Sequence, residues 1–444
     1  MLPERSIKRA NSNPTVVCEK MTGLDFAHLL LQIAAVLGLC RVLHGLLRRA
    51  GQPPVVGEMI AGLLLGPSFF GWLSPRGYDF VFPPFSLPSL NALSQIGLVL
   101  FMFVVGLRLE LREVREFRHV AGLAGLLSMA VPFAAGLAIA RPLHRLSADT
   151  PMVPFSLFIA VSMSITAFPV LARILSDQKL TESRLGQVSI ACAALNDVCA
   201  WTLLAWITAV ARSRGGYTSI VGTVAPVATY ALIMAAVIRP ALARMTRRFA
   251  VTNELPVVLV VAFLSSWATE RIGIHALFGA FFAGVIWPRF KTAGRTNIEE
   301  LSATIEPLAT VVLVPLFFSF TGIRTNIGSA GGSGSWPYAV LIVATAVAAK
   351  VGGAFLGGIA MRFGVRDSLA LGVLLNTRGL VELIALNVGL DLGILSPRLF
   401  SMMVLMAIGT TLMTSPLLQL VGAHRHLATR GSQPVADHRH NPKI

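Results

Sequence analysis

Long apolar runs separated by short polar gaps fill most of the chain. A helix needs about 20 mostly apolar residues to cross the hydrocarbon core of a bilayer. Thirteen stretches qualify: 26–47, 54–72, 90–108, 117–142, 154–175, 183–211, 218–245, 254–271, 274–290, 301–322, 337–363, 368–388 and 398–421. The runs are continuous rather than alternating at every second residue, so they read as helices and not as barrel strands. The pattern predicts an all-α polytopic membrane protein of about 13 transmembrane helices. Residues 1–25 read as a disordered N-terminal tail, 26–421 as the transmembrane domain and 422–444 as a short polar tail.

Composition agrees with this reading and narrows it. Charged residues make up 13% of the 444, against about 25% in soluble globular domains, which excludes an ordinary soluble enzyme. Four cysteines with no CxxC spacing exclude a disulfide scaffold and give no zinc-ligand pattern. The net charge of +16 would suggest a nucleic-acid partner in a soluble chain. Here the basic residues sit in the gaps between runs, so they report topology and no nucleic acid is expected. With the N-terminus outside and the C-terminus cytoplasmic, 21 of the 37 Lys and Arg fall on the inner side. That bias supports an odd number of spans in a plasma or inner membrane. The tail carries His424, His426, His438 and His440, which read as solvated residues rather than a metal site. No cofactor is expected.

Three charges lie near the middle of their runs. Asp197 is 13 residues after Arg184 and 15 before Arg212, about 20 Å from each charged end at about 1.5 Å per residue. Lys350 is 13 residues after Pro337 and 12 before Arg362, and Arg378 is 11 after Asp367 and 13 before Asp391. All three reach mid-membrane depth, where a charge is costly and by default marks function. The alternative is a neutralised network that only locks the bundle. Glu382, four residues after Arg378, has the spacing of an ion pair on one helical face and reads as structural. Glu58, in VVGEMIAGLLLGPS, reads equally as part of an inner vestibule or as a helix cap.

Asp197 follows Asn196. A carboxylate beside an amide oxygen suits a hard monovalent cation, which takes oxygen ligands. In a low-dielectric setting the same carboxylate can hold a proton instead. A site held by one or the other is the minimal machine for exchange.

Two runs are interrupted. SMSITAFPVLARIL (162–175) contains Pro169, which removes a backbone hydrogen bond, and LLNTRGLVEL (374–383) contains Asn376, Thr377 and Gly379. Unwound backbone at membrane depth survives only inside protein or against a cavity, and two interrupted spans in corresponding halves point to a secondary-transporter site. Spans four to six and eleven to thirteen are offset by an odd number, as inverted repeats require. GxxxG spacing at Gly62–Gly66 and Gly353–Gly357 permits close helix contact; the second, beside Lys350, reads equally as room for a broken helix or as tight packing without function.

VVGEMIAGLLLGPS (55–68), SITAFPVLARIL (164–175), ALNDVCAW (194–201) and NTRGLVELIALNVG (376–389) together resemble the monovalent cation:proton antiporter-2 family. SITAFPVLARIL with LNDVCAW looks most like its potassium/proton exchanger branch. The resemblance implies the sodium/proton antiporter fold with two discontinuous crossing helices. It implies that Asp197 binds cation and proton, with Asn196 at the position where electrogenic relatives carry a second Asp. Ser164, Thr166 and Pro169 look like one crossover, and Thr377 with Gly379 like the other. Lys350 takes the position of the basic residue that pairs with the site. Spans four to six and eleven to thirteen would form a moving core. Spans one to three and eight to ten would form a scaffold that makes a homodimer, with the seventh linking the two.

The expected function is electroneutral exchange of K+ or Na+ for H+ by alternating access around Asp197, with no metal beyond the transported cation. Three rivals stand beside it. An organic-anion carrier on the same fold would use Arg378 and Lys350. A channel would not be driven uphill by a proton gradient. An intramembrane aspartyl protease needs two acids at depth, and Asp197 alone is present.

Overall fold

The computed structural model describes residues 14–49, 51–108, 121–181, 183–212, 216–248, 255–272, 275–292, 295–330, 334 and 336–421. Its helices are α1 (Pro14–Arg49), α2 (Pro54–Leu65), the short α3 (Phe70–Leu73) and α4 (Pro75–Val81), α5 (Leu87–Arg108) and α6 (Ala121–Leu143). Then come α7 (Met152–Ser164), α8 (Phe168–Asp177), α9 (Arg184–Arg212) and α10 (Gly216–Ile233), which passes through a π-helical turn into α11 (Arg239–Arg248). Next are α12 (Leu255–Ile272), α13 (Ala276–Ile286) and α14 (Asn297–Leu308), the last running through a second π-helical turn into α15 (Val314–Arg324). The chain closes with α16 (Ile327–Ala330), α17 (Trp336–Ala360), α18 (Val365–Leu375), α19 (Leu380–Asp391) and α20 (Pro397–Val421). The only strands among the described residues form a two-residue antiparallel ladder, with Lys291 opposite Thr296 and Thr292 opposite Arg295.

The protein is helical and membrane-spanning as expected, but the count of thirteen is not reached. Among the described residues, ten helices are long and apolar enough to cross, or eleven when the bent pair α18–α19 is taken as one span. The expected spans 154–175 and 274–290 hold short apolar helices instead, with 13 residues in α7 and 11 in α13. At 1.5 Å per residue neither alone crosses a core of about 30 Å. Helix α7 stops where the backbone turns extended at Ile165. Helix α13 stops at Trp287, the residue before Pro288, where proline disfavours helical backbone.

Helix α1 starts at Pro14, a residue that suits a first helical position, where its missing N–H costs nothing. Residues 1–13 and 422–444, with the histidine-rich tail, lie outside the described residues. Gly353 and Gly357 do make a close contact, but with Leu127 and Ala124 of the continuous helix α6, not with a broken helix.

Packing separates two groups of helices. In one, α1 packs on α2, α2 on α15, α5 on α13 and α15, and α12 on α13. In the other, α6 packs on α7, α9 and α17, α8 on α9, and α20 on α17, α18 and α19. Helix α10 touches α9 on one side and α12 on the other. The outer surface is apolar: Leu126, Leu232, Trp267 and Leu420 are 62%, 67%, 63% and 82% exposed. In lipid such a surface costs nothing, whereas in water it would drive association.

Candidate functional site

Both interruptions meet at the centre of the second group. Helix α7 ends at Ser164, residues 165–167 are non-helical, and α8 starts at Phe168 with Pro169 in its first turn. Helix α18 ends at Leu375 and α19 starts at Leu380, the pair bending by 44°. The two linkers cross and bond: the Ala167 N–H donates to the Thr377 carbonyl at 3.0 Å, and Thr166 Oγ1 donates to the Leu375 carbonyl at 3.0 Å. A Cβ at Gly379 would meet Val170 Cγ2 at 2.7 Å, so a bare α-carbon there lets α8 come this close.

Each half-helix end faces a complementary charge or donor. The last carbonyls of α7 are orphan acceptors at the negative end of a helix dipole. Arg378 Nη1 donates to the Ser162 carbonyl at 2.7 Å and Nη2 to the Met163 carbonyl at 2.8 Å. Lys350 Nζ donates to the Ser164 carbonyl. Arg378 also pairs with Glu382 at 3.0 Å, both side chains fully buried. Thr411 Oγ1 accepts from the Arg378 backbone N–H at 3.0 Å and ties the second linker to α20.

Asp197 sits on α9, 4% exposed, and neither of its carboxylate oxygens has a hydrogen-bond partner of good geometry. The Phe168 N–H, at the positive end of α8, and Lys350 lie close enough to act on it electrostatically. Lys350 does not bond it; its ammonium is committed to α7. Asn196 is held by side chains on two other segments, its Nδ2 donating to Ser128 Oγ at 3.0 Å and to Thr166 Oγ1 at 3.3 Å. Asp197, Asn196, Thr166, Lys350, Arg378, Glu382 and the crossover residues Ser164, Thr377 and Gly379 therefore converge on one buried region.

A model described as "Sodium/hydrogen exchanger, transmembrane" matches residues 33–420, most of the chain. The chain belongs to the sodium/hydrogen exchanger family. It is 39% identical over 401 residues to the Na(+)/H(+) antiporter NhaS4 of Synechocystis, covering 88% of this chain and 96% of that one. It is 32% identical over 407 residues to the K(+)/H(+) antiporter 1 of Saccharomyces cerevisiae, covering 88% of this chain and 46% of the relative. It is 39% identical over 399 residues to the Cation/H(+) antiporter 17 of Arabidopsis thaliana, covering 88% of this chain and 48% of the relative. The chain thus spans about half the length of the yeast and plant relatives. In fold it resembles the sodium proton antiporter MjNhaP1 of Methanocaldococcus jannaschii, with a TM-score of 0.59 at 14% identity over 91% of this chain and 99% of that one.

Several residues of this exchanger's site go unremarked in the sequence. Ser128 is one hydroxyl in an apolar helix, with no pattern to single it out. Thr411 belongs to a run of hydroxyls, Thr410, Thr411 and Thr414, which is unusual enough in a span to have drawn notice. The carbonyls of Ser162, Met163 and Ser164 leave no residue-type signal at all. Glu58 lies inside α2, whose start has no side-chain cap, and lines a cavity of ≈ 660 Å³; the vestibule reading fits and the cap reading does not.

Proposed function

We propose that the chain exchanges a monovalent cation, K+ or Na+, for H+ by alternating access around Asp197, one for one. The observation that carries this is a buried carboxylate with both oxygens free, set where two broken helices cross. A cation or a proton can take that carboxylate, but not both. With Asn196 in the preceding position, one acid is available per cycle, so no net charge moves. Commitment of Arg378 to Glu382 and to α7 leaves it a poor anion ligand and weighs against an organic-anion carrier. The printed names of the relatives, as Na+/H+, K+/H+ and cation/H+ antiporters, support the same reading. The first helix group serves as a homodimerising scaffold in a plasma or inner membrane, with a cytoplasmic C-terminus.

The test is proton efflux from acidified everted vesicles of an antiporter-deficient host, with K+ and Na+ added in turn. Wild type is expected to dequench the pH probe, Asp197→Asn to lose at least nine-tenths of that signal, and the better cation to name the substrate. The endpoint is expected to ignore a clamped membrane potential, since one net charge would couple to about 2.3 kcal/mol per 100 mV. No signal from well-expressed wild type would overturn the reading in favour of the anion carrier.

A further inference from the structure

The cavity of ≈ 660 Å³ is wedged between the two helix groups, from α1, α2 and α15 on one side to Val170 of α8 and Leu380 of α19 on the other. Val170 is two residues past Phe168, whose N–H faces Asp197, and Leu380 is the first residue of α19. The far wall of the cavity is therefore formed by the half-helices α8 and α19 just past the crossover. Glu58 projects from α2 into this space, half-buried, and makes no hydrogen bond or ion pair among the described residues. The other titratable groups on the wall are Cys40, Arg41 and His44 of α1, Arg173 of α8 and Glu306 of α14. Glu306 is bonded by Arg108. Glu58 is thus the wall's one carboxylate without an ion-pair partner among the described residues, in a cavity otherwise rimmed by Arg41 and Arg173.

A carboxylate within a span and free of ion pairs is costly and by default functional, and charge in a cleft raises the local concentration of its counter-ion. We propose that Glu58 is a staging carboxylate: it draws the monovalent cation into the cavity and holds it before transfer to Asp197. This rests on the exchange reading above. It makes Glu58 a positioning residue for one direction of entry, distinct from the acid at which cation and proton compete.

Sidedness is the readout that a structural counter-charge would not move. The full chain is assayed in everted and in right-side-out vesicles, so that the cation meets the cavity face in one and the opposite face in the other. Glu58→Gln is expected to raise the apparent KM for the cation about tenfold from the cavity face. From the opposite face the KM should stay unchanged, with maximal rates within about twofold of wild type. Glu58→Asp, which keeps the charge, is expected to stay within about twofold of wild type from both faces. An unchanged KM from the cavity face, or an equal loss of maximal rate from both faces, would overturn the proposal and leave Glu58 as a counter-charge to the arginines. Wild type without cation-driven flux would instead sink the exchange reading itself, so the two failures are separable.

Discussion

At the scale of single residues, the decisive device is the pair of buried cations that finish α7. Arg378 joins Ser162, Met163 and Glu382, and Lys350 takes the next carbonyl. Removing one partner of a buried ion pair costs about 3–5 kcal/mol because the other is left uncompensated, and here two helix-end carbonyls lose their donors as well. Arg378→Ala is therefore expected to lower the thermal midpoint of the detergent-solubilised chain sharply. Glu382→Gln keeps the Oε1 acceptor but leaves the buried guanidinium without its counter-charge, so it should lower the midpoint too, by less than Arg378→Ala because the bonds to the Ser162 and Met163 carbonyls remain. Tryptophan fluorescence during heating reads both, and an Arg378→Ala protein melting with wild type would show that the guanidinium does not hold α7 to α19. Depth is legible in the sequence at these positions, because a charge inside an apolar run can be placed by counting residues to each end. Azimuth and partner are not. Nothing in SMSITAF says which cation meets its carbonyls, and nothing around Lys350 says that its ammonium bonds the Ser164 carbonyl.

At the scale of helices, small residues decide which axes come close. The GxxxG pair on α2 faces α15: a Cβ at Gly62 would stand 2.3 Å from the Phe318 carbonyl oxygen, and one at Gly322 would stand 2.0 Å from the Gly62 carbonyl carbon. The obstruction is backbone on both sides, so neither helix can yield by rotating a side chain. Overpacking of this kind costs typically 1–3 kcal/mol or more. Gly322→Ala is expected to reduce the monodisperse fraction on size-exclusion chromatography, while Gly38→Ala, with open space around it, should match or exceed wild type because alanine favours helix. Equal profiles for the two variants would mean that α2 and α15 can separate freely. The spacing that flags a close contact is visible in sequence, but its partner is not, since any helix presenting a smooth face can fill the groove. That is why Gly353–Gly357 meets α6. Span counting fails for a related reason: a window of apolar residues does not register that Ile165–Ala167 leave the helix, and the half-helices on either side are each too short to count.

At the scale of the whole molecule, α15 and α19 lie side by side and join its two ends. Both start at the cavity, through Val314 and Leu380, and both finish at a latch between the helix groups. There Arg324 bonds Asn387 at 3.1 Å and pairs with Asp391, and Asn387 Nδ2 donates to Thr321 Oγ1 at 2.9 Å. The helix pair thus has a cavity between the groups at one end and a polar tie between them at the other. Arg324 and Asp391 keep 24% and 50% side-chain exposure, and pairs this accessible contribute about 0–1 kcal/mol. A latch this weak suits an element that opens in every cycle, and for the same reason deleting it would shift the equilibrium little. Covalent closure is the sharper test. In a chain whose four native cysteines are replaced by alanine, Arg324→Cys with Asp391→Cys bridged by a short bis-maleimide is expected to stop cation-driven proton flux. Each single substitution carrying the same reagent should still transport. If the bridged protein exchanged at the unbridged rate, α15 and α19 would have to travel together, and access would have to alternate by opening the bundle somewhere other than between these two groups.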